Sequence, residues 1–229
     1  MYIPIEHENI PLVVIDNFLP RDYISKLYED FIKLKPHFGI PHWGGSYNGN
    51  AYNSDEPLSP LCTGQDIWIP FNKENDEKNK DLGHYISNLY KYIFHQGVFE
   101  YLTNTKSDQL NAYSKYRYLY KYHIINYGDG GYYNWHKDVE VSGMTWDGVE
   151  VNKQNAFTFA LTLVKDPSVM KGGEQYFMYK NHTYKLPLTN NQLTIFPSSV
   201  FHACSEITAP KDLSWENKRF NIQAWLCHA

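Results

Sequence analysis

The sequence predicts a mainly β fold with flanking helices, an antiparallel sandwich or jelly roll. Three observations predict it. From Tyr116 onward nearly every segment reads as strand or turn. Within that region Tyr116 to Tyr127 alternates with period two, the side-chain period of a strand. Ahead of residue 110, apolar residues recur at helical spacing, and such stripes need a sheet face or another helix to cover them.

Each element has its own signal. Leu12-Val13-Val14-Ile15, within Ile10 to Asp16, is a short apolar run fit for a buried strand. Asp16-Asn17 breaks it, and Pro20 suits a helix's first turn. Tyr23, Ile24, Leu27, Tyr28, Phe31 and Ile32 then fall on one stripe, predicting a helix over 20–34. Leu82, Tyr85, Ile86, Leu89, Tyr90 and Ile93 predict a second over 80–94, and Gly97 weakens any extension to Leu102. Between the helices, Gly44 to Asn50 reads as a loop and Asn72 to Asn79 as a charged, solvated connection. From Tyr116, Tyr118, Tyr120 and Tyr122 take one face of a strand, and Leu119, His123, Ile125 and Tyr127 the other. Gly128-Asp129-Gly130-Gly131 is a turn. Further strands are expected over 132–138, 156–164, 174–179, 192–196 and 219–226.

All of 1–229 is expected to be one domain, with 1–115 as helical support and lid region and 116–229 as the β core. Apolar residues make up 42% and charged residues 20%, the composition of a globular chain rather than a disordered one. With a net charge of -4, no basic excess is available to neutralise a run of phosphates, so nucleic acid is not the expected partner. The longest mainly apolar stretch, Ala156 to Val164, is far short of the roughly 20 residues of a membrane span. Met1 to Glu6 has no basic start and no long apolar run, so no signal peptide is expected. Cys62, Cys204 and Cys227 are odd in number and lack metal-finger spacing, which fits reduced thiols in the cytoplasm.

Three features carry chemistry. His136-Lys137-Asp138 puts an imidazole and a carboxylate on one face of a strand, able to share a metal. About one such pair is expected by chance in this composition, so alone it means little. His202 follows a strand and the Pro197-Ser198-Ser199 turn. A jelly roll that returns this segment beside the earlier one would complete a two-His, one-carboxylate face, as in non-haem Fe(II) oxygenases. Alone it reads as a hydrogen-bonded core histidine. Arg219, Asn221, Gln223 and Trp225 share one face of the last strand, and Phe220, Ile222, Ala224 and Leu226 the other. Buried polar residues need partners. The first face therefore meets a polar ligand, and a guanidinium presents a fork that fits a carboxylate. A lone Arg would read as a surface salt bridge.

Together these residues resemble a known family. The stretch Tyr127, Gly130, Tyr133, His136 and Asp138, then Gly172-Gly173-Glu174, then Phe196-Pro197-Ser198 before His202, then Arg219 with Trp225 six residues on, is similar to the 2-oxoglutarate- and Fe(II)-dependent oxygenases, most of all to the prolyl 4-hydroxylase-like branch. Val13 to Pro20 resembles the opening strand and turn of such domains. The resemblance implies a double-stranded β-helix with Fe(II) held by His136, Asp138 and His202. It implies the far carboxylate of 2-oxoglutarate on Arg219, a hydroxyl from Tyr127 in that pocket, and Trp225 near the site. Asn221 stands where several relatives carry Ser. Collagen-type prolyl hydroxylases use Lys where Arg219 stands, and Ala209 to Lys218 looks like an insertion, so Lys211 and Lys218 are alternative carboxylate binders.

The implied activity is hydroxylation of an organic substrate with O2 and 2-oxoglutarate, releasing succinate and CO2. Peptidyl proline, a free amino acid and another small molecule all remain open as substrates. Gly44 to Glu56 and Val139 to Gln154, which contains Trp146, are expected to be lids over it. Three other readings stay open: a non-catalytic β-helix that binds a ligand, a zinc hydrolase on the same ligands, and a nucleic-acid demethylase. The last usually carries a second Arg where Trp225 stands.

Overall fold

Leu12 to Ile15 is buried at every position, as a strand covered on both faces must be. The computed structural model describes residues 5–6, 12–39, 62–70, 85–86, 88–89, 116–139, 144–146, 149–151 and 155–228. That run forms strand β2 (Val13–Asp16), after a short β1 (Ile5–Glu6). Asn17, at φ 52°, turns the chain out of the sheet, and Pro20 leads into helix α1 (Arg21–Leu34). A proline fits there because first-turn amides have no intrahelical acceptor. Tyr23, Leu27, Tyr28, Phe31 and Leu34 form the buried stripe; Ile32, expected on it, is exposed.

Of the second expected helix, Tyr85, Ile86, Asn88 and Leu89 are helical. The rest of 80–94, the 72–79 connection and the 44–56 loop lie outside the described residues. Asp30, buried on α1, accepts the Tyr85 N–H at 2.8 Å and the Ile86 N–H at 3.2 Å, which ties the two helical segments together.

The remaining strands are β3 (Cys62–Thr63), β4 (Gln65–Pro70), β5 (Tyr116–Tyr127), β6 (Tyr132–His136), β7 (Met144–Trp146), β8 (Val149–Val151), β9 (Asn155–Leu163), β10 (Gln175–Tyr179), β11 (His182–Leu186), β12 (Gln192–Pro197), β13 (Phe201–Cys204) and β14 (Arg219–His228). A seven-stranded antiparallel sheet runs β1-β2-β12-β9-β14-β5-β4, and a five-stranded one β11-β10-β13-β6-β3. β7 and β8 form a small hairpin inside the expected second lid; the rest of that segment beyond Val139 lies outside the described residues.

β9 shows how the larger sheet serves two cores. Phe157, Phe159, Leu161 and Leu163 face α1, where Phe31 stacks on Phe220 of β14 at 4.5 Å. Thr158, Ala160 and Thr162 face the other sheet. The same alternation puts Phe220, Ile222 and Ala224 with the helix and leaves Arg219, Asn221 and Gln223 buried between the sheets. Between the sheets lie two smaller apolar clusters, one around Leu12, Phe177 and Phe196, the other around Ile125, Met170 and Ile207.

The apparent insertion from Ala209 to Lys218 is a clamp. Trp215 is buried against Phe38 and Phe220, and its indole N–H donates to Gln65 Oε1 at 2.8 Å. Gly172 marks another tight point. Its φ is +80°, and a Cβ there would lie 1.9 Å from the Glu206 carbonyl oxygen. Gly172→Ala should therefore lower stability by more than about 1 kcal/mol, read as a lower urea midpoint at unchanged m-value.

Candidate metal centre and its cavity

β6 and β13 lie side by side with His136 opposite His202 in register. Both rings are buried, with centroids 4.1 Å apart. Each is oriented by the backbone two residues earlier. His136 Nδ1 lies 2.7 Å from the Asn134 carbonyl oxygen, and His202 Nδ1 lies 3.0 Å from that of Val200. A carbonyl only accepts, so each Nδ1 carries a hydrogen, and Nε2 is the nitrogen whose lone pair the neutral ring offers to a metal. Neither Nε2 has a hydrogen-bond partner among the described residues. Both face Asp138 instead: His136 Nε2 is 3.3 Å from Oδ1 and His202 Nε2 is 3.5 Å from Oδ2. The three ligand atoms lie within 4.8 Å of one another, close enough for one metal ion. Two bare imidazole lone pairs and a carboxylate are donors a divalent transition metal takes.

Asp138 reaches this position differently from expectation. β6 ends at His136, so the carboxylate does not project from a strand. It is carried on the segment just beyond, which other hydrogen bonds lock. Asp138 N–H donates to the Ser198 carbonyl at 2.9 Å, Asn155 Nδ2 donates to the Asp138 carbonyl at 2.7 Å, and the Thr158 hydroxyl donates to Oδ2 at 2.8 Å. Burial alone would raise the Asp138 pKa, but His202 and His136 outweigh it and hold the carboxyl well below its usual range. Burial, followed by the neighbouring His202, lowers the His136 pKa. At neutral pH His136 is thus in the form a metal needs.

This has a consequence for stability. Between the lowered native pKa of His136 and the ordinary value of about 6.5, the unfolded chain takes up a proton that the native chain refuses. The contribution is whole above that value and is lost as pH falls through the native pKa. The metal-free protein should lose urea resistance as pH falls below about 6.5, and His136→Gln should flatten that part of the profile.

A single cavity runs from the two histidines to Arg219, lined on the way by Tyr127, Tyr133 and Asn221. Arg219 is 1% exposed, and Tyr127 lies directly opposite it on β5, its ring centre 5.0 Å beneath the guanidinium. Nη2 reaches Thr162 Oγ1 at 3.4 Å, but Nε and Nη1 meet no acceptor among the described residues. No carboxylate of the described residues pairs with it; their ion pairs all lie elsewhere. A buried charge with two idle donors calls for an anion. Of the alternative binders, Lys211 is exposed and Lys218 runs along Gly128. Asn221 Oδ1 and Gln223 Oε1 are also buried without partners among the described residues. The cavity wall on β14 ends at Gln223. Trp225 is next on that face, opposite Thr158, with its ring stacked toward His123.

Residues 122–227 match the 2OG-Fe(II) oxygenase superfamily. The stretch from β5 to β14 carries the domain of that superfamily. Its members use Fe(II), 2-oxoglutarate and O2, and the donor set and the unpaired guanidinium fit those groups. Solved structures agree in fold, though at low identity. A prolyl-4-hydroxylase from Pseudomonas putida is 12% identical over 96% of this chain and 94% of its own, with a TM-score of 0.55. A Trichoplax adhaerens prolyl hydroxylase, solved with a hypoxia inducible factor peptide fragment, is 15% identical over 94% of this chain and 83% of its own, TM-score 0.58. The α-ketoglutarate dependent epimerase SnoN of nogalamycin biosynthesis is 10% identical over 96% of this chain and 78% of its own, TM-score 0.55. No curated protein matches the sequence. The two sheets are thus the double-stranded β-helix of this oxygenase fold. No helix among the described residues is long and apolar enough to cross a membrane.

Sequence reasoning misses several residues of this candidate site. Tyr133, noted only as part of the motif, stacks on His136 at 3.9 Å. Thr158 and Ser198 hold Asp138. Thr162, Gln175 and Thr194 form a buried hydrogen-bonded chain beside Arg219. The available signal was the pattern of hydroxyls at alternate positions within apolar strands.

Proposed function

We propose that the protein is a 2-oxoglutarate- and Fe(II)-dependent hydroxylase acting on peptidyl proline, with iron on His136, Asp138 and His202. The observation that carries the site assignment is the shared cavity: a metal-type donor set at one end and an unpaired buried guanidinium at the other. Iron, 2-oxoglutarate and O2 supply the oxidising chemistry, with succinate and CO2 as coproducts. The protein's own groups bind and orient. The Nδ1–H bonds to Asn134 and Val200 orient both rings so that their Nε2 lone pairs would hold the metal. Arg219 takes the far carboxylate through its fork, over the face of Tyr127. The Tyr127 hydroxyl and the Asn221 amide complete that pocket. Fixing both ends of the keto acid orients it for reaction. No protein general base is assigned.

The proline substrate rests on fold likeness to prolyl hydroxylases. Two measurements test the proposal. Anaerobic addition of Fe(II) and 2-oxoglutarate should give a weak visible charge-transfer band; none would overturn the site assignment. Succinate release should then rise with proline-rich peptides above its level with free amino acids or nucleosides. A rise confined to free amino acids would replace the peptide substrate with a small molecule.

A further inference from the structure

The two oxygens of Asp138 have different surroundings. Each faces one histidine Nε2, but Oδ2, 3.5 Å from that of His202, also accepts the Thr158 hydroxyl at 2.8 Å. Oδ1 receives no hydroxyl or amide among the described residues and meets only His136 Nε2 at 3.3 Å. Thr158 is fully buried on β9, and its Oγ1 also lies 3.0 Å from the Oγ of Ser198, equally buried at the end of β12. A hydroxyl has one hydrogen. If Thr158 gives its own to the carboxylate, the Ser198 contact must run toward it, so Ser198 donates to Thr158 and Thr158 to Asp138. Such a chain is polarised in one direction and strengthens its last bond.

Its location is specific. Thr158 stands opposite Phe196 on β12 and Trp225 on β14. A valine would fill that place with the same shape. The peptide of Asp138 is already clamped by Ser198 and Asn155, so the side-chain hydroxyls are not needed to hold the backbone. What they fix is the carboxylate's rotation and which oxygen is free.

We propose that the Ser198–Thr158 hydroxyl chain is a positioning device that engages Asp138 Oδ2 and leaves Oδ1 alone to bind the metal. A carboxylate kept to one oxygen occupies one metal position. Released, it can bind through both and take a position that 2-oxoglutarate needs. This rests on the iron assignment above. Thr158 and Ser198 are positioning residues, because neither reaches the cavity itself.

The test compares wild type, Thr158→Val, Thr158→Ser and Ser198→Ala under anaerobic conditions. Affinity for Mn(II) is measured first, without cosubstrate, and then 2-oxoglutarate binding to the Fe(II) protein through the visible band. Thr158→Val should weaken 2-oxoglutarate binding about 10-fold or more, the scale of lost outer contacts at metal sites. Its Mn(II) affinity should change by less than about 3-fold, and its band should shift in position. Thr158→Ser should restore both, and Ser198→Ala should weaken 2-oxoglutarate by a smaller factor. An unchanged band and 2-oxoglutarate affinity in Thr158→Val would overturn the proposal. So would an equal loss of both affinities that serine does not rescue, since that marks a merely structural role. Should Thr158→Val fail to fold, Ser198→Ala decides by the same two readouts. A wild type without a band would sink the iron assignment and this proposal with it; a wild-type band with normal variants sinks this proposal alone.

Discussion

Asp138→Ala will bind Fe(II) at least about 100-fold more weakly than wild type and will lose succinate formation with it. Removing a group that merely supports a ligand costs about 10- to 100-fold at metal sites, so removing the anionic ligand sets that range as a floor. The physical basis is local charge. The imidazoles of His136 and His202 offer lone pairs but no negative charge, and Asp138 is the one carboxylate the described residues place among them. The protein should stay folded. Asp138 lies past the end of β6, and its backbone bonds to Ser198 and Asn155 survive in alanine. Circular dichroism would check that, while the anaerobic band and a succinate assay read the site. An Asp138→Ala protein that still binds Fe(II) tightly would place the metal elsewhere. His202→Ala should behave similarly, with a further loss of packing against Phe196 and Phe177.

Much of this candidate site is legible in the sequence, because His136, His202 and Arg219 lie on strands whose side chains alternate between faces. Period two on β14 sorts Arg219, Asn221 and Gln223 from Phe220, Ile222 and Ala224, and the two sets are buried on opposite faces, the apolar one against α1 and the polar one between the sheets. The unrecognised elements share one trait: little apolar surface. β3 and β4 are broken by Gly64, and β11 is a largely exposed edge strand, so none carries a long apolar run. β13 has four residues and was read only as the place of His202. The i, i+2 spacing predicts Asp138 on a strand, since that is the simplest way to align it with His136. In fact the strand stops, and tertiary hydrogen bonds do the aligning. Thr158 and Thr162 were lost inside what reads as an apolar stretch, where only the opposing sheet reveals that the inner face is polar. The segment from Ala209 to Lys218 is a further case. Its polar composition carries no signal of a core contact, yet Trp215 anchors it beneath α1. A contact between positions so far apart in sequence leaves no local signal.

Arg219→Met should have two effects of opposite sign. In the free protein the guanidinium is buried with no carboxylate partner among the described residues and with Nε and Nη1 idle. An uncompensated buried charge is a cost to the native state, and replacing buried ionic groups with well-packed apolar ones raises stability by about 1–4 kcal/mol. Methionine matches the length of the side chain and can pack against the Tyr127 ring, so the metal-free variant should unfold at higher urea than wild type. With 2-oxoglutarate the order reverses. Losing one partner of a buried, hydrogen-bonded charge pair costs about 2–5 kcal/mol, which weakens binding by about 30- to 5000-fold. Wild type with Fe(II) and 2-oxoglutarate at about 100 times its Kd should gain about 2.7 kcal/mol of stability, and the variant almost none. Arg219→Lys should fall between them, since it keeps the charge but loses the planar fork and part of the stacking on Tyr127. The crossing of the two stability curves is the telling result. A purely structural arginine would lower stability on replacement whether or not the keto acid is present. Only a residue whose partner arrives with the ligand leaves the free protein better off without it.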